Sequence, residues 1–187
     1  MIIIGHGGYA RQLGALSGIN TYFVEDEFVE KDCLPLSLLP ENSEVVIAIA
    51  DSKIREKIAN TIKCKYTSYF HPSTLFYGTN NIIGEGAITY PMTVIAINII
   101  IGKHSQFDTA ATIGHDTIIG AYFTAGPYSF VSGDCLIGNH VYLGGGARIK
   151  QKIKICDNVI IGMGSIVVND ITEPGTYIGI PAKKINR

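Results

Sequence analysis

Residues 113–142 read IGHDTI, IGAYFT, AGPYSF, VSGDCL and IGNHVY when they are written in groups of six. The same phase holds without an insertion from Ile83 to Thr172. A large apolar residue takes the first place of each group except at Thr89 and Ala125, and glycine usually takes the second place. A period kept over so long a stretch indicates a repeat architecture, since the strands of an ordinary β-sandwich do not keep one phase.

The six-residue period has a direct physical interpretation. β-branched residues favour strands, and glycine supplies the backbone freedom that a tight corner needs. Three strands and three corners close a triangular coil, so residues eighteen apart stack at the strand spacing of about 4.8 Å. First-position side chains fill the interior, and each coil buries its face against the next. The sequence therefore predicts a parallel β-helix.

The first 70 residues do not follow this repeat. Three strands are predicted there, over residues 2–4, 22–24 and 44–50. A glycine turn and a helix to Ser17 lie between the first two strands, and a helix through Lys63 follows the third. The second strand ends in acids, which is the layout of a mononucleotide-binding βαβ unit. We therefore predict a small α/β nucleotide-binding-like domain over 1–70 and a β-helix domain over 71–187. Residues 173–183 leave the repeat and are predicted to close the end of the coil as a short strand.

Composition excludes several function classes. The 15 basic and 16 acidic residues nearly balance, so neither a nucleic-acid partner nor a membrane surface is indicated. Every apolar run is too short for a membrane span or a signal peptide. The four cysteines form no CxxC pair, so we expect no metal site and no disulfide framework, and the reducing cytoplasm is the simplest location.

His115 and Asp116 fall at a corner of the predicted coil and should project outward. A histidine near its natural pKa can accept a proton at neutral pH. A neighbouring carboxylate can fix one tautomer and favour the charged form of the ring. The alternative interpretation is a solvated polar corner, where aspartate is common.

Several motifs together resemble the hexapeptide-repeat sugar O-/N-acetyltransferases. This family includes sialic-acid O-acetyltransferases and N-acetyltransferases of nucleotide-linked 4-amino-4,6-dideoxy sugars, among them the bacillosamine-type enzymes. The matching segments are Gly5–Tyr9, Val24–Asp26, Ile47–Asp51 with Ile54-Arg55, His71–Ser73, residues 113–118 and Gly179–Lys183. The resemblance implies a left-handed coil, acetyl-CoA as co-substrate without a metal, and a nucleotide-linked amino sugar as acceptor.

The same resemblance implies roles for individual residues. His115 would be the catalytic base, assisted by Asp116. The acceptor would be bound by Gly7, Gly8, Tyr9, Glu25, Asp26 and Ala50, and acetyl-CoA by Gly145, Met163 and Thr124. Thr124 occupies a place where bacillosamine-type members have a second histidine, so this cofactor contact must differ here or be absent.

Three other functions compete with amino-sugar N-acetylation. The first is O-acetylation of sialic acid or a related sugar, and the second is a non-catalytic β-helix binding module. The third is a zinc enzyme, because His104 and His140 share a corner two coils apart and carbonic anhydrases of this fold bind zinc through histidines. The matching third ligand would be Gly145, so the zinc site is incomplete.

Apolar residues on the outer surface of the coil indicate self-association. Four aromatic residues are predicted to lie on flat faces that would be exposed to solvent in a monomer, namely Tyr122, Phe123, Tyr128 and Tyr142. Cyclic packing of three copies would cover them, so we predict a homotrimer.

Overall fold

The computed structural model describes residues 1–185 and begins with a parallel sheet flanked by helices. We call this part the N-terminal unit. Its sheet has the strand order β3-β2-β1-β4-β5. The elements are β1 (Ile2–Ile4), α1 (Gly8–Ser17), β2 (Tyr22–Val24), β3 (Leu34–Pro35), β4 (Glu44–Ile47), α2 (Ser52–Thr61) and β5 (Lys65–Tyr66), with short 3-10 turns at Asp26–Phe28 and Leu36–Leu38. The predicted helices and the first three predicted strands are confirmed, and β3 and β5 are additional.

The rest of the described chain winds into a prism with three sheets, which we call faces 1, 2 and 3. Face 1 contains β7 (Leu75–Phe76), β10 (Val94–Ile95), β13 (Thr112–Ile113), β16 (Phe130–Val131), β19 (Arg148–Ile149) and β22 (Ile166–Val167). Face 2 contains β8 (Ile82–Ile83), β11 (Ile100–Ile101), β14 (Ile118–Ile119), β17 (Leu136–Ile137) and β20 (Lys154–Ile155). Face 3 contains β6 (Tyr69–Phe70), β9 (Ile88–Thr89), β12 (Gln106–Phe107), β15 (Thr124–Ala125), β18 (Tyr142–Leu143), β21 (Val159–Ile161), β23 (Gly175–Ile178) and β24 (Lys183–Ile185).

Strand register follows the sequence period. Ile95 pairs with Ile113 and Ile113 pairs with Val131, each in a parallel ladder with a step of one coil. First-position side chains form one continuous core, in which Ile95 and Leu143 are fully buried. The predicted parallel β-helix is therefore confirmed. Near the C-terminus, β23 adds to face 3 beside β21, and β24 pairs with it in the antiparallel sense.

The repeated glycine has a different cause from the one that the sequence suggested. The residue with a positive φ is the fourth of each group and is mostly not glycine, as at Asn98, Asp116 and Tyr122. The second-place glycine lies instead directly under the next coil. A Cβ added to Gly114 would stand 2.6 Å from the backbone nitrogen of Gly133. At Gly114, close stacking of the backbones, and not backbone conformation, therefore leaves no room for a side chain.

Arg55 joins the N-terminal unit to the prism. This side chain, on α2, is fully buried. Its guanidinium donates to the carbonyl oxygens of Ile49, Ala50, His104, Tyr122 and Phe123, to Gln106 Oε1 and to Thr124 Oγ1. Burial lowers the pKa of Arg55 to about 10, so the group remains charged at neutral pH. The guanidinium of Arg55 thus joins the segment after β4 to face 3 and to the corner between faces 2 and 3.

An aromatic stack lies beside this junction. The rings of His104, Tyr122 and His140 stack with centroid separations of 5.4 and 5.0 Å. Tyr122 and Phe123 are therefore buried, and their predicted exposure was wrong because the N-terminal unit covers this corner and Phe123 points inward. Tyr128 and Tyr142 are exposed, as expected. Burial lowers the pKa of His104 to about 4.

No helix within residues 1–185 combines the length and the apolar character that crossing a bilayer requires.

We expect Arg55→Met to lower the free energy of unfolding by about 3–5 kcal/mol, because removal of one partner leaves buried polar groups without hydrogen bonds. Urea denaturation at neutral pH measures the loss. Arg11→Met is the matched control, since Arg11 is exposed on α1 and its loss should stay within about 0.5 kcal/mol. Equal stability of the two variants would contradict the role assigned to Arg55.

Candidate active site

His115 and Asp116 lie at the corner between faces 1 and 2, and their side chains are in contact. Nδ1 of His115 is 2.7 Å from Oδ2 of Asp116. An ionised carboxylate can only accept, so Nδ1 carries the proton and Nε2 keeps a free lone pair. Half of the imidazole side chain is exposed. The corner therefore presents to the surface of the prism an imidazole whose Nε2 can accept a proton.

Asp116 is held from the coil below. Nδ2 of Asn98 donates to its Oδ1 at 2.9 Å, while the other oxygen faces His115. The hydrogen bond from Asn98, followed by the one from His115, lowers the pKa of Asp116. The carboxylate therefore remains ionised at neutral pH and keeps its acceptor role toward Nδ1.

Gly133, on the coil above, provides the space for the imidazole. A Cβ at Gly133 would lie 2.6 Å from both Cε1 and Nε2 of His115. The backbone is also linked here, because the N–H of Asp134 donates to the carbonyl of His115 at 2.9 Å. The position of the His115 ring thus depends on the lack of a side chain at residue 133 as well as on the contact with Asp116.

Gly145 and Met163 lie together at another corner, between faces 3 and 1. They occupy equivalent places on successive coils, and the N–H of Gly164 donates to Gly145 O at 2.9 Å. The Met163 side chain is 84% exposed. A Cβ at Gly145 would meet nothing closer than 3.4 Å. The structure brings these two predicted cofactor residues together, but at a different corner from His115.

Ala50 and Thr124 share a cavity of about 450 Å³ between the start of α2 and face 3. Arg55 lies behind it, since Nη1 donates to Ala50 O and Nη2 to Thr124 Oγ1, both at 2.9 Å. The cavity is lined by Ala50, Asp51, Ser52, Lys53, Thr124, His140, Tyr142, Asn158 and Ile160. One predicted acceptor residue and one predicted cofactor residue therefore face the same space.

A second cavity, of about 320 Å³, lies beyond the carboxyl ends of β1 and β2. Gly7 and Glu25 line it, together with His6 and Glu30. A Cβ at Gly7 or Gly8 would meet no atom within 4 Å, so the loop is open on this side. Glu25 is paired with Lys57 at 2.6 Å.

Two predicted acceptor residues have other partners. Oδ1 of Asp26 accepts from the N–H of Ser37 at 3.0 Å, and hydrogen bonds from the side chain and then the backbone of Ser37 lower the pKa of Asp26. The ring of Tyr9 stacks on Tyr90 with centroids 4.5 Å apart, and burial raises the pKa of its hydroxyl. Of the two neighbouring acids, Glu25 is the one that faces the cavity.

His104 and His140 cannot form the zinc site that their spacing suggested. The ring of Tyr122 lies between the two imidazoles, with its centroid 5.4 Å from that of His104 and 5.0 Å from that of His140. Zinc–nitrogen bonds of about 2.0–2.1 Å require ligand atoms much closer than that. His140 Nε2 instead faces Glu56 Oε2 at 3.3 Å.

Comparisons with known proteins show that the chain is similar to sugar acyltransferases. No protein-family model matches it. A curated GDP-perosamine N-acetyltransferase from Escherichia coli O157:H7 is 32% identical over 133 residues, which are 71% of this chain. The chain spans only 53% of the length of that relative.

Two groups of solved structures match over nearly the whole chain. PerB from Caulobacter crescentus, determined with CoA and GDP-perosamine, has a TM-score of 0.89 and 27% identity, covering 99% of this chain and 96% of that one. The acetyltransferase domain of PglB from Neisseria gonorrhoeae FA1090 has a TM-score of 0.87 and 26% identity, covering 98% of both chains.

We expect Gly133→Ala to displace the imidazole of His115 without unfolding the protein. The new Cβ would overlap the ring, whereas the backbone of Gly133 does not have the positive φ that disfavours alanine. ¹⁵N NMR of the imidazole should show loss of the Nδ1-protonated tautomer. Gly78→Ala is the control, because its Cβ would meet only the side chain and Cα of Ile97, at 3.0 Å or more. An unchanged tautomer in Gly133→Ala would refute the packing argument.

Proposed function

We propose that this chain, a member of the hexapeptide-repeat sugar acetyltransferase family, transfers an acetyl group from acetyl-CoA to the amine of a nucleotide-linked amino sugar. The observation that carries the proposal is the half-exposed imidazole of His115, whose Nδ1 lies 2.7 Å from Oδ2 of Asp116, so that Nε2 can act as the base. Similarity to a structure that holds CoA and GDP-perosamine supports this donor and this class of acceptor. The proposed sugar is of the 4-amino-4,6-dideoxyhexose type.

The proposed chemistry uses the corner pair as a base and then as an acid. The amine attacks the thioester carbonyl, forming the new N–C bond, and its proton passes to Nε2 of His115. Asp116 stabilises the imidazolium. Cleavage of the C–S bond releases CoA as a thiol, which takes the proton back. Backbone N–H groups at corners, such as that of Gly133, are the proposed donors to the oxyanion.

The distribution of these residues supports an active site formed between subunits. His115 lies at the corner between faces 1 and 2, whereas the Ala50–Thr124 cavity lies against face 3. In a homotrimer of left-handed coils, the corner of one subunit would complete the cavity of its neighbour. Face 2 carries an exposed apolar ladder suited to such packing: Ile82, Ile100, Ile118 and Leu136.

The N-terminal unit is the proposed nucleotide-binding part of the enzyme. Ligands of open α/β sheets bind beyond the carboxyl ends of the strands, where Gly7 and Glu25 line the second cavity. We therefore assign the nucleotide to residues 1–70, and the acetyl donor and the base to residues 71–187, of which 186 and 187 lie outside the described residues. The cytoplasm is the proposed location, and all four cysteines are free thiols.

We expect His115→Ala to lower kcat by about 10²- to 10⁴-fold, the usual contribution of a general base. Release of free thiol from acetyl-CoA in the presence of UDP-, dTDP-, GDP- and CMP-linked amino sugars measures the rate. Light scattering should give about three times the chain mass of 20.2 kDa for both proteins. Equal rates for variant and wild type would refute the assignment of the base. Transfer to free or CMP-linked sialic acid alone would favour O-acetylation, and no transfer to any acceptor would favour the binding module.

A subunit-mixing experiment tests the shared site. Ala50→Trp should obstruct the 450 Å³ cavity and inactivate a homotrimer. Co-refolding it with His115→Ala should restore part of the activity, because some sites then combine an intact base with an intact cavity. Mixtures as inactive as the separate variants would show that each subunit uses only its own residues.

We expect Glu25→Gln to raise KM for the nucleotide sugar by about 5- to 150-fold, the equivalent of a hydrogen bond to a charged group. KM for acetyl-CoA should hardly change. Asp26→Asn is the matched control, because Asp26 faces Ser37 and its replacement removes an adjacent charge without reaching the cavity. Equal effects of the two variants on both substrates would mean that the N-terminal unit is only structural.

A further inference from the structure

A second carboxylate lies beside the imidazole of His115. One side-chain oxygen each from Asp116 and Asp134 and one ring nitrogen of His115 all lie within 4.8 Å of one another. Oδ2 of Asp116 lies 2.7 Å from Nδ1 of His115 and accepts its hydrogen bond. The position of Asp134 needs a separate explanation, because two carboxylates this close together repel each other unless a positive charge forms between them.

The coil geometry places Asp134 there. It is one coil above Asp116 at the same corner, and both residues have the positive φ of the fourth position, 59° and 55°. Its N–H donates to the backbone carbonyl of His115 at 2.9 Å. Gly133 contributes no side chain, so nothing from that residue screens Asp134 from the ring.

Each carboxylate is fixed by an amide from an adjacent coil. Asn98 donates to Asp116 from below at 2.9 Å, and Nε2 of Gln151 donates to Oδ2 of Asp134 from above at 2.8 Å. In each carboxylate one oxygen accepts from the amide, and the other oxygen of Asp116 faces Nδ1 of His115. Both carboxylates are therefore held beside the imidazole.

We infer that Asp134 is a second positioning residue for the proposed acetyl transfer, one that stabilises the imidazolium form of His115 after it has taken the proton of the amine. The inference rests on the proposed function. At this corner, the charged side chains on the coil of His115 and on the next coil are Asp116 and Asp134, and Lys150 and Lys152 lie one coil further on. The charges on the two nearer coils are therefore both negative, and they stabilise a positive charge on the ring.

The test is the pH profile of Asp134→Asn in the intact enzyme. We expect kcat to fall about threefold with little change in either KM, because an exposed charge at this distance contributes about one kT or slightly more. Without Asp134 a positive charge on the ring loses one of its two negative neighbours. The acidic limb of the kcat profile should then move to lower pH by about half a pH unit.

Further variants separate positioning from folding. Asp134→Glu should restore most of the rate, and Gln151→Ala should give a smaller loss in the same direction. In the His115→Ala background, Asp134→Asn should cause no further loss, whereas a purely structural role would add a second one. A wild-type profile for Asp134→Asn, or additive losses, would overturn the inference while leaving the proposed function intact. Absence of thiol release by the wild-type enzyme would instead refute the proposed function.

Discussion

A buried cation without a buried anion holds this molecule together. Within residues 1–185, the guanidinium of Arg55 has no carboxylate among its hydrogen-bond partners and is surrounded by carbonyl, amide and hydroxyl oxygens from two parts of the chain. Burial of a charge costs several kcal/mol unless it is fully hydrogen-bonded. The N-terminal unit must therefore dock in the one position that supplies every acceptor. Because Ala50 and Thr124 are among those acceptors, the same constraint shapes the larger cavity.

Backbone geometry and site chemistry coincide at the corner of His115. The fourth position of each group requires a positive φ, which asparagine and aspartate tolerate better than most residues. Asn98, Asp116 and Asp134 satisfy that demand on three successive coils, and the same residues form the polar surroundings of the imidazole. The backbone conformation at the fourth position thus already favours an aspartate at residue 116, independently of the role of its carboxylate in fixing the tautomer of His115.

The sequence predicted those features that depend on the repeat or on neighbours along the chain. The prism follows from the period of six, and the contact of His115 with Asp116 follows from their adjacency at a corner. Features that need distant segments were missed. Nothing near Arg55 in the sequence indicates burial, since its acceptors come from residues 49–50 and 104–124 and meet only in the folded molecule. Tyr122 looked like a surface residue because its cover, the N-terminal unit, lies far away in sequence.

The choice between Glu25 and Asp26 was equally beyond local reasoning, because a short 3-10 turn directs one acid to the cavity and the other to Ser37. The glycine pattern was recognised correctly but attributed to the wrong cause. Its position under the next coil, and not its φ, becomes evident only when the coils are stacked.

The coil also acts as a ruler. Each turn advances the chain by one strand spacing of about 4.8 Å, and Arg55 grips residues 104–124, the same turns that carry His115. The position of His115 along the prism axis is therefore fixed relative to the N-terminal unit, and it does not depend on the length of the prism beyond these turns. Insertion of one whole eighteen-residue turn after Ile155 would lengthen the molecule and leave His115 level with Ala50 and Thr124. The same insertion between Thr89 and Ile101 would separate β9 from β12, and so the start of the prism from the turns that Arg55 holds. Evolutionary changes in length are therefore best accommodated at the C-terminal end.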